Sequence, residues 1–90
     1  MLEWPLPKDP GSDLLYSAEV DDLRDGEVVD SDSWTVPEGV VGTPQAVTDD
    51  EIFIRISGGI DGVDYVFTVD IVTNLGNTIQ RDIKLKVRNR

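Results

Sequence analysis

The sequence predicts an all-β sandwich of about seven short strands, with an extended arm at its N-terminus. Apolar and polar residues alternate along several segments, and this alternation is that of a strand with one buried face. Turn-forming residues separate the segments at intervals of about eight to twelve residues, the spacing typical of a sandwich. Since no segment shows a sustained helical period, no helix is predicted.

Residues 1–12 are predicted to form a proline-rich arm, and residues 13–90 the sandwich itself. Three of the five prolines of the chain lie in the arm, and proline lacks the backbone N–H that a strand ladder requires. The arm also carries Trp4 and Leu6, which either fold back on the sandwich or anchor a partner. The candidate partner-binding residues of the arm are Trp4, Pro5, Leu6 and Pro7.

The first half of the sandwich is predicted to contain short strands between polar turns. Residues 14–20 alternate between apolar and polar side chains and form the first strand of the core. The polar segment 21–27 contains an Asp-Gly turn signal, after which the strand pattern resumes within residues 28–36. A Pro-Glu-Gly sequence ends that pattern, and Val40 and Val41 form a further short strand.

The second half of the chain has the stronger strand pattern. Residues 51–57 place three isoleucines on one side, and residues 65–72 and 79–88 alternate in the same way. Asparagine and glycine, which tolerate a positive φ angle, form the turn between the last two segments. Residues 63–88 are therefore predicted to be a long hairpin.

Two aromatic residues indicate which type of β-sandwich the chain forms. Tyr65 begins an alternating strand just after a glycine-rich turn, where immunoglobulin-like domains place a tyrosine whose hydroxyl contacts the backbone of the preceding corner. Trp34 lies on a mid-chain strand, where such domains bury a tryptophan between the sheets. The prediction is an immunoglobulin-like (fibronectin-III-like) sandwich in which Trp34 and Tyr65 are critical for the fold.

The composition argues against catalysis. The chain has no histidine and no cysteine, so the commonest general base, the commonest zinc ligand and the thiolate nucleophile are missing. The Gly58-Gly59 segment lacks the helix and the lysine of a phosphate-binding loop. Acidic clusters leave a calcium site open as an alternative, although none has the spacing of an EF-hand. No enzyme activity, metal or cofactor is predicted, and so small a sandwich offers no deep cleft for a small-molecule substrate.

Charge is distributed unevenly along this acidic chain. Residues 1–80 carry 3 basic and 17 acidic side chains, a sum of −14, whereas residues 81–90 carry 5 basic and 1 acidic, a sum of +4, which gives the net charge of −10. Such an acidic body repels nucleic acid and anionic membrane surfaces. The basic last strand either docks on an acidic neighbour or neutralises the sheet beside it. Its candidate partner-binding residues are Arg81, Lys84, Lys86 and Arg88.

Several short motifs together resemble a family of small tailed-bacteriophage structural proteins. The motifs are Lys8-Asp9-Pro10, Tyr16, Asp25-Gly26-Glu27, Ser33-Trp34-Thr35-Val36, Ser57-Gly58-Gly59, Gly62-x-x-Tyr65, Thr73-x-x-Gly76 and Val87-Arg88. The family that they resemble is that of the fibre–tail adaptors, which have an immunoglobulin-like fold. The chain departs from the family at residues 20–23, which stand where the family has a tryptophan-rich stretch.

The resemblance implies a non-enzymatic virion protein that joins the tail or baseplate to fibres by protein–protein contacts. Its partners would be tail, baseplate or fibre proteins, or further copies of itself in a symmetric assembly, and it would be assembled in the host cytoplasm. A capsid cement or decoration protein and an immunoglobulin-like adhesion module are the alternatives. In the adaptor hypothesis the arm lies in a groove of a neighbour, so that deletion of residues 2–7 is expected to leave the fold intact while abolishing assembly.

Overall fold

The computed structural model describes residues 2–89, which form strands and turns without a helix. The strands are β1 (Leu2–Glu3), β2 (Asp13–Glu19), β3 (Val29–Thr35), β4 (Val40–Pro44), β5 (Glu51–Gly58), β6 (Asp64–Thr73) and β7 (Thr78–Lys86). Met1 and Arg90 lie outside the described residues, and with them the charge that Arg90 adds to the predicted basic strand. Residues 2–89 contain no candidate for a membrane-spanning helix.

The strands form two sheets that pack face to face. One sheet has the strand order β1-β7-β6-β3 and the other the order β2-β5-β4. Neighbouring strands are antiparallel except β1, which lies parallel to β7. The order β2-β5-β4 corresponds to strands B-E-D of an immunoglobulin domain and β7-β6-β3 to strands G-F-C, so the arrangement is consistent with an immunoglobulin-like sandwich. The predicted all-β sandwich is confirmed, and so is the hairpin of β6 and β7.

Alternating residues of β5, β6 and β7 fill the space between the sheets. These side chains are Ile52, Ile54 and Ile56 of β5, Tyr65, Phe67, Val69 and Ile71 of β6, and Ile83 and Leu85 of β7. Because a strand turns successive side chains to opposite faces, the alternation in sequence becomes one buried face per strand. Phe67 lies at the centre, in edge-to-face contact with Trp4 on one side and Trp34 on the other, at ring-centroid distances of 5.7 and 6.5 Å.

Trp4 closes the open side of the sandwich, between β1 of one sheet and β2 of the other. Its indole Nε1 donates a hydrogen bond to the carbonyl of Ser17 on β2 at 2.9 Å. Its backbone N–H donates to the carbonyl of Lys84 on β7 at 3.1 Å. The side chain is only 8% exposed and belongs to the hydrophobic core. Of the two alternatives left open for this residue, Trp4 therefore folds back on the sandwich.

The start of the predicted arm pairs with the sandwich. The prolines and the missing strand alternation predict an extended arm over residues 1–12, whereas Leu2 and Glu3 pair with β7 as β1. In the structure, β1 ends before Pro5, and Lys8 forms a parallel bridge with Val87, the residue after β7, once the chain has passed Pro7. Deletion of residues 2–7 thus removes a strand and a core side chain, contrary to the expectation that the fold would be unaffected.

Tyr65 and Trp34 both contact the core. The Tyr65 hydroxyl accepts a hydrogen bond from the backbone N–H of Ile60 at 3.0 Å, which is the contact that the sequence predicts for the corner before β6. Gly39, at φ 103°, lies against the same ring, where a Cβ atom would come within 3.0 Å of the hydroxyl oxygen. Trp34 is half-buried, packs against both parts of the core, and donates its Nε1–H to the Asp32 carboxylate at 2.8 Å.

Glu27 fastens the polar loop between β2 and β3 to the turn between β6 and β7. Its buried carboxylate accepts hydrogen bonds from the Arg24 backbone N–H, the Thr73 hydroxyl and the Asn77 amide, at 3.0, 2.7 and 2.7 Å. These donors, the Arg24 N–H foremost, favour the charged form and lower the pKa of Glu27 from 4.5 to about 2. The sequence of this loop predicts a polar, exposed segment, whereas in the structure Glu27 binds the loop to the turn between β6 and β7.

Replacing Trp4 by alanine is expected to lower the free energy of unfolding by about 3–5 kcal/mol, because a large core side chain and its hydrogen bond to β2 are lost together. Leu6→Ala is the matched control, because Leu6 is 67% exposed and lies two residues away; it is expected to cost about 0.5 kcal/mol or less. Urea denaturation followed by circular dichroism measures both variants. Equal stabilities would contradict the assignment of Trp4 to the core.

Replacing Tyr65 by phenylalanine is expected to lower the free energy of unfolding by about 0.5–1.5 kcal/mol, because the Ile60 N–H loses its acceptor. Tyr16→Phe removes the same hydroxyl from a partly buried tyrosine that packs on the same core, and is the control. The comparison uses urea denaturation midpoints at one pH. A loss at Tyr65 no larger than that at Tyr16 would show that the corner hydrogen bond contributes nothing.

Glu27 is expected to make the stability of the fold depend on pH in the acid range. In the unfolded chain the Glu27 carboxyl takes up its proton near pH 4.5, whereas in the folded chain it stays charged down to about pH 2. The stabilisation is therefore present above pH 4.5 and is lost as the pH falls through 2. Glu27→Gln is expected to be less stable than wild type at neutral pH, with a difference that shrinks across this window. The control is Glu38→Gln, an exposed carboxylate, and coincident pH profiles of the two variants would exclude this role.

Candidate interaction surfaces

Residues 5–7 form a bulge between two points at which the N-terminal segment is fixed to β7. Trp4 and Lys8 each donate their backbone N–H to a carbonyl of β7, at 3.1 and 2.8 Å. The two donors are four residues apart, whereas the acceptors, on Lys84 and Lys86, are two residues apart, so the intervening residues leave the sheet. The two prolines of the bulge have no N–H to leave unpaired. The bulge holds Leu6 outwards, exposed to solvent.

Lys8 is the second anchor of this segment, and it is fully buried. Its Nζ donates hydrogen bonds to the backbone carbonyls of Asp9 and Gly58, both at 2.8 Å. Burial lowers the pKa of Lys8, while the negative charges of Asp9 and Asp13 act in the opposite direction. A lysine is almost never fully buried unless it has a partner, so its residue type predicts a surface position for Lys8. The sequence pattern therefore does not indicate that Lys8 is an anchor.

A mostly apolar groove runs between the bulge and β2. It is lined by Trp4, Pro5 and Leu6 from the N-terminal segment and by Leu15, Tyr16 and Ser17 from β2.

The Ser17 carbonyl accepts the hydrogen bond of the Trp4 indole, so it points away from β5 and towards this groove. Because backbone groups alternate in direction along a strand, those of Leu15 point the same way. Burial raises the pKa of the Tyr16 hydroxyl at the base of the groove. The bulge and the groove bring three of the four arm candidates, Pro5, Leu6 and Pro7, to the surface.

The four basic candidates of β7 and the residues after it all form ion pairs within the chain. The pairs are Arg81 with Asp22, Lys84 with Asp64 at 3.3 Å, Lys86 with Glu3 at 3.2 Å, and Arg88 with Asp64 at 2.9 Å. The hydrogen bond from Arg88, with a further contribution from Lys84, lowers the pKa of Asp64. This is the geometry of a strand that neutralises its surroundings, the second alternative of the sequence analysis. Such partly exposed pairs contribute little to stability, because solvent screens them.

The loop acids do not converge on one point in the structure. Among residues 2–89, no group of three or more acidic side chains lies close enough together to hold a metal ion. Asp22 and Asp64 are paired with basic residues, and Asp61 accepts a hydrogen bond from the Asn89 backbone N–H at 2.7 Å.

The outer face of the three-stranded sheet is a surface that the residue types alone did not single out. Its exposed or half-buried side chains are Leu15 and Ser17 of β2, Phe53, Arg55 and Ser57 of β5, and Val41 and Thr43 of β4. The same face also carries the acids Asp13 and Glu19 of β2 and Glu51 of β5. Its one basic residue, Arg55, is paired with Asp13 at 3.7 Å. In the sequence, Leu15 and Phe53 occur at positions that the alternation assigns to the solvent side of β2 and β5. Only the strand order shows that these two side chains share one face.

A family model described as podophage GP4 fiber-tail adaptor protein gp77 matches residues 8–86 of the chain. The match begins at the buried Lys8 and includes β2 to β7 completely, while Trp4 and the bulge lie N-terminal to it. No curated protein matches the chain. The resemblance that the short motifs indicate is thereby confirmed over nearly the whole length. The chain belongs to the podophage GP4 fiber-tail adaptor protein gp77 family, a family of structural proteins of the phage tail.

Proposed function

We propose that this chain is a non-enzymatic adaptor of the virion that joins the tail or its baseplate to fibres through protein–protein contacts. The family match over residues 8–86 is the observation that carries the proposal. The packing of the domain supports it, because the apolar faces of the strands are used to close the two sheets on each other. What remains for function is therefore the outer surface.

The contacts are proposed to be made by rigid surface features. The proline-framed bulge holds Leu6 outwards and is fixed at both ends by Trp4 and Lys8, so little conformational entropy is lost when a partner covers it. The basic residues of β7 are already paired with acids of the same chain. A partner that used them would have to replace those pairs, so we assign them a minor role in docking.

The chemistry of the chain supports partners that are proteins. With a net charge of −10, nucleic acid and anionic membranes are expected to be repelled. Histidine and cysteine are absent from the sequence, and Lys8 is occupied by two carbonyl groups. We therefore expect no substrate, metal or cofactor, and we expect the protein to join the virion during assembly in the host cytoplasm. The family assignment favours this role over capsid cement and over an adhesion module.

Particles assembled without this protein are expected to have tails but to lack attached fibres, because the adaptor is proposed to be the link between them. Electron microscopy of particles from a host infected with a phage that lacks the gene measures this directly. Supplying the chain from a plasmid should restore the fibres, and labelled protein should be located at the junction of tail and fibre. Label on the capsid lattice, with fibres present on the mutant particles, would refute the adaptor role and support the cement alternative.

A further inference from the structure

We infer that the outer face of the three-stranded sheet, together with the Leu6 bulge beside it, docks on a different virion protein that presents an apolar patch flanked by basic side chains. This inference rests on the proposed adaptor function. It adds which surface makes the contact and what chemistry the partner offers.

Leu15, Phe53 and Leu6 form the apolar strip of this surface. Leu15, 52% exposed, lies opposite Arg55 in the β2–β5 register, and Phe53 is its diagonal neighbour on the same face. Leu15 also lines the groove that Leu6 borders, so the bulge extends the patch past the edge of β2. A contiguous apolar strip on one side of an acidic domain marks an interaction site more strongly than scattered exposed residues do.

The opposite outer face of the domain has a different character. On the four-stranded sheet the outward positions carry the ion pairs of Lys84 with Asp64 and of Lys86 with Glu3. Asp82 accepts a hydrogen bond from the Thr68 hydroxyl on the neighbouring strand. Charges on this face are satisfied within the chain, as expected for a face turned to solvent. Val66 and Val72 are also exposed on this face, but within residues 2–89 no two like charges lie opposite each other in its strand registers. The two outer faces therefore differ in how their charges are arranged.

The end of the three-stranded face carries uncompensated negative charge. Glu19 of β2 lies directly opposite Glu51 of β5 in the strand register. Like charges in this position repel each other and destabilise the sheet. None of the ion pairs formed by residues 2–89 includes either glutamate. A basic group placed there by a partner would relieve the repulsion, which is why we assign basic residues to the rim of the partner surface.

We do not assign this surface to a second copy of the chain. Two domains of net charge −10 repel each other, and face-to-face docking would bring two acidic ends together. The face of three strands measures roughly 14 Å by about 20 Å, or about 300 Å². That is well below the roughly 800 Å² per partner of a stable interface. The bulge must contribute, and a larger partner must reach both the bulge and the face.

The test compares matched variants supplied from a plasmid to a phage that lacks the gene. Leu15→Glu places a charge in the apolar strip, and its control is Val66→Glu on the opposite face, where Val66 is 41% exposed. Glu19→Lys reverses a rim charge, and its control is Asp82→Lys.

The number of copies of the chain per purified particle is measured by quantitative mass spectrometry. Denaturation midpoints establish that each variant is folded, and Leu15→Thr with Val66→Thr replaces the first pair if Leu15→Glu is unfolded. Sedimentation equilibrium of the purified wild-type chain, at low and high salt, gives its oligomeric state.

Leu15→Glu is expected to lower the copy number about tenfold or more, and Glu19→Lys to lower it as well, while both controls match wild type and the purified chain is a monomer. Normal incorporation of the folded Leu15 variant would overturn this inference and leave the adaptor function standing. A wild-type dimer that Leu15→Glu converts to a monomer would also overturn it, by assigning the face to a second copy. Absence of the wild-type chain from particles would overturn the adaptor function itself, and the inference with it.

Discussion

The contact of Trp4 with both sheets is the interaction on which the rest of this structure depends. Two sheets that pack face to face are held by burial of apolar side chains, and the space between them is open along the edges. Trp4 fills that opening beside β2, with its ring against Phe67 and Tyr16 and its indole N–H on the Ser17 carbonyl. The chain has no cysteine, so no disulfide can hold the sheets together. A tryptophan that packs on one sheet while hydrogen-bonding to the other supplies part of that stabilisation.

The same contact explains how the surface acquires its features. Because Trp4 and Lys8 are both fixed, the short segment between them has no freedom to spread along the sheet, and it bulges outwards. The two prolines suit this position since they restrict φ and have no N–H that would need a partner. An apolar side chain held in this way can bind without first being ordered, which reduces the entropic cost of association. Stability of the core and presentation of the surface thus have a common origin.

Charged side chains are arranged differently on the outer faces of the two sheets. On the four-stranded sheet, basic residues of β7 lie among acids of neighbouring strands, and the pairs neutralise a chain that is otherwise strongly acidic. On the outer face of the three-stranded sheet, Arg55 is paired with Asp13, and the acids Glu19 and Glu51 lie opposite each other without a basic partner among residues 2–89. Desolvation of paired charges is costly whereas desolvation of apolar groups is favourable, so covering Leu15 and Phe53 costs less than covering the ion pairs of the four-stranded sheet.

The sequence by itself determined the class of fold, the strands of the second half, the hairpin of residues 63–88 and the contact of Tyr65 with its corner. These features follow from alternation and from turn chemistry, which are local properties of the chain. Only the tertiary structure decided that Trp4 lies in the core, that Lys8 is buried, that the basic residues of β7 are paired, and that Leu15 and Phe53 share a face. Each of these depends on which strands become neighbours, for example β1 beside β7 and β2 beside β5. Strand order joins residues far apart in the chain, and the period of a single strand contains no information about it.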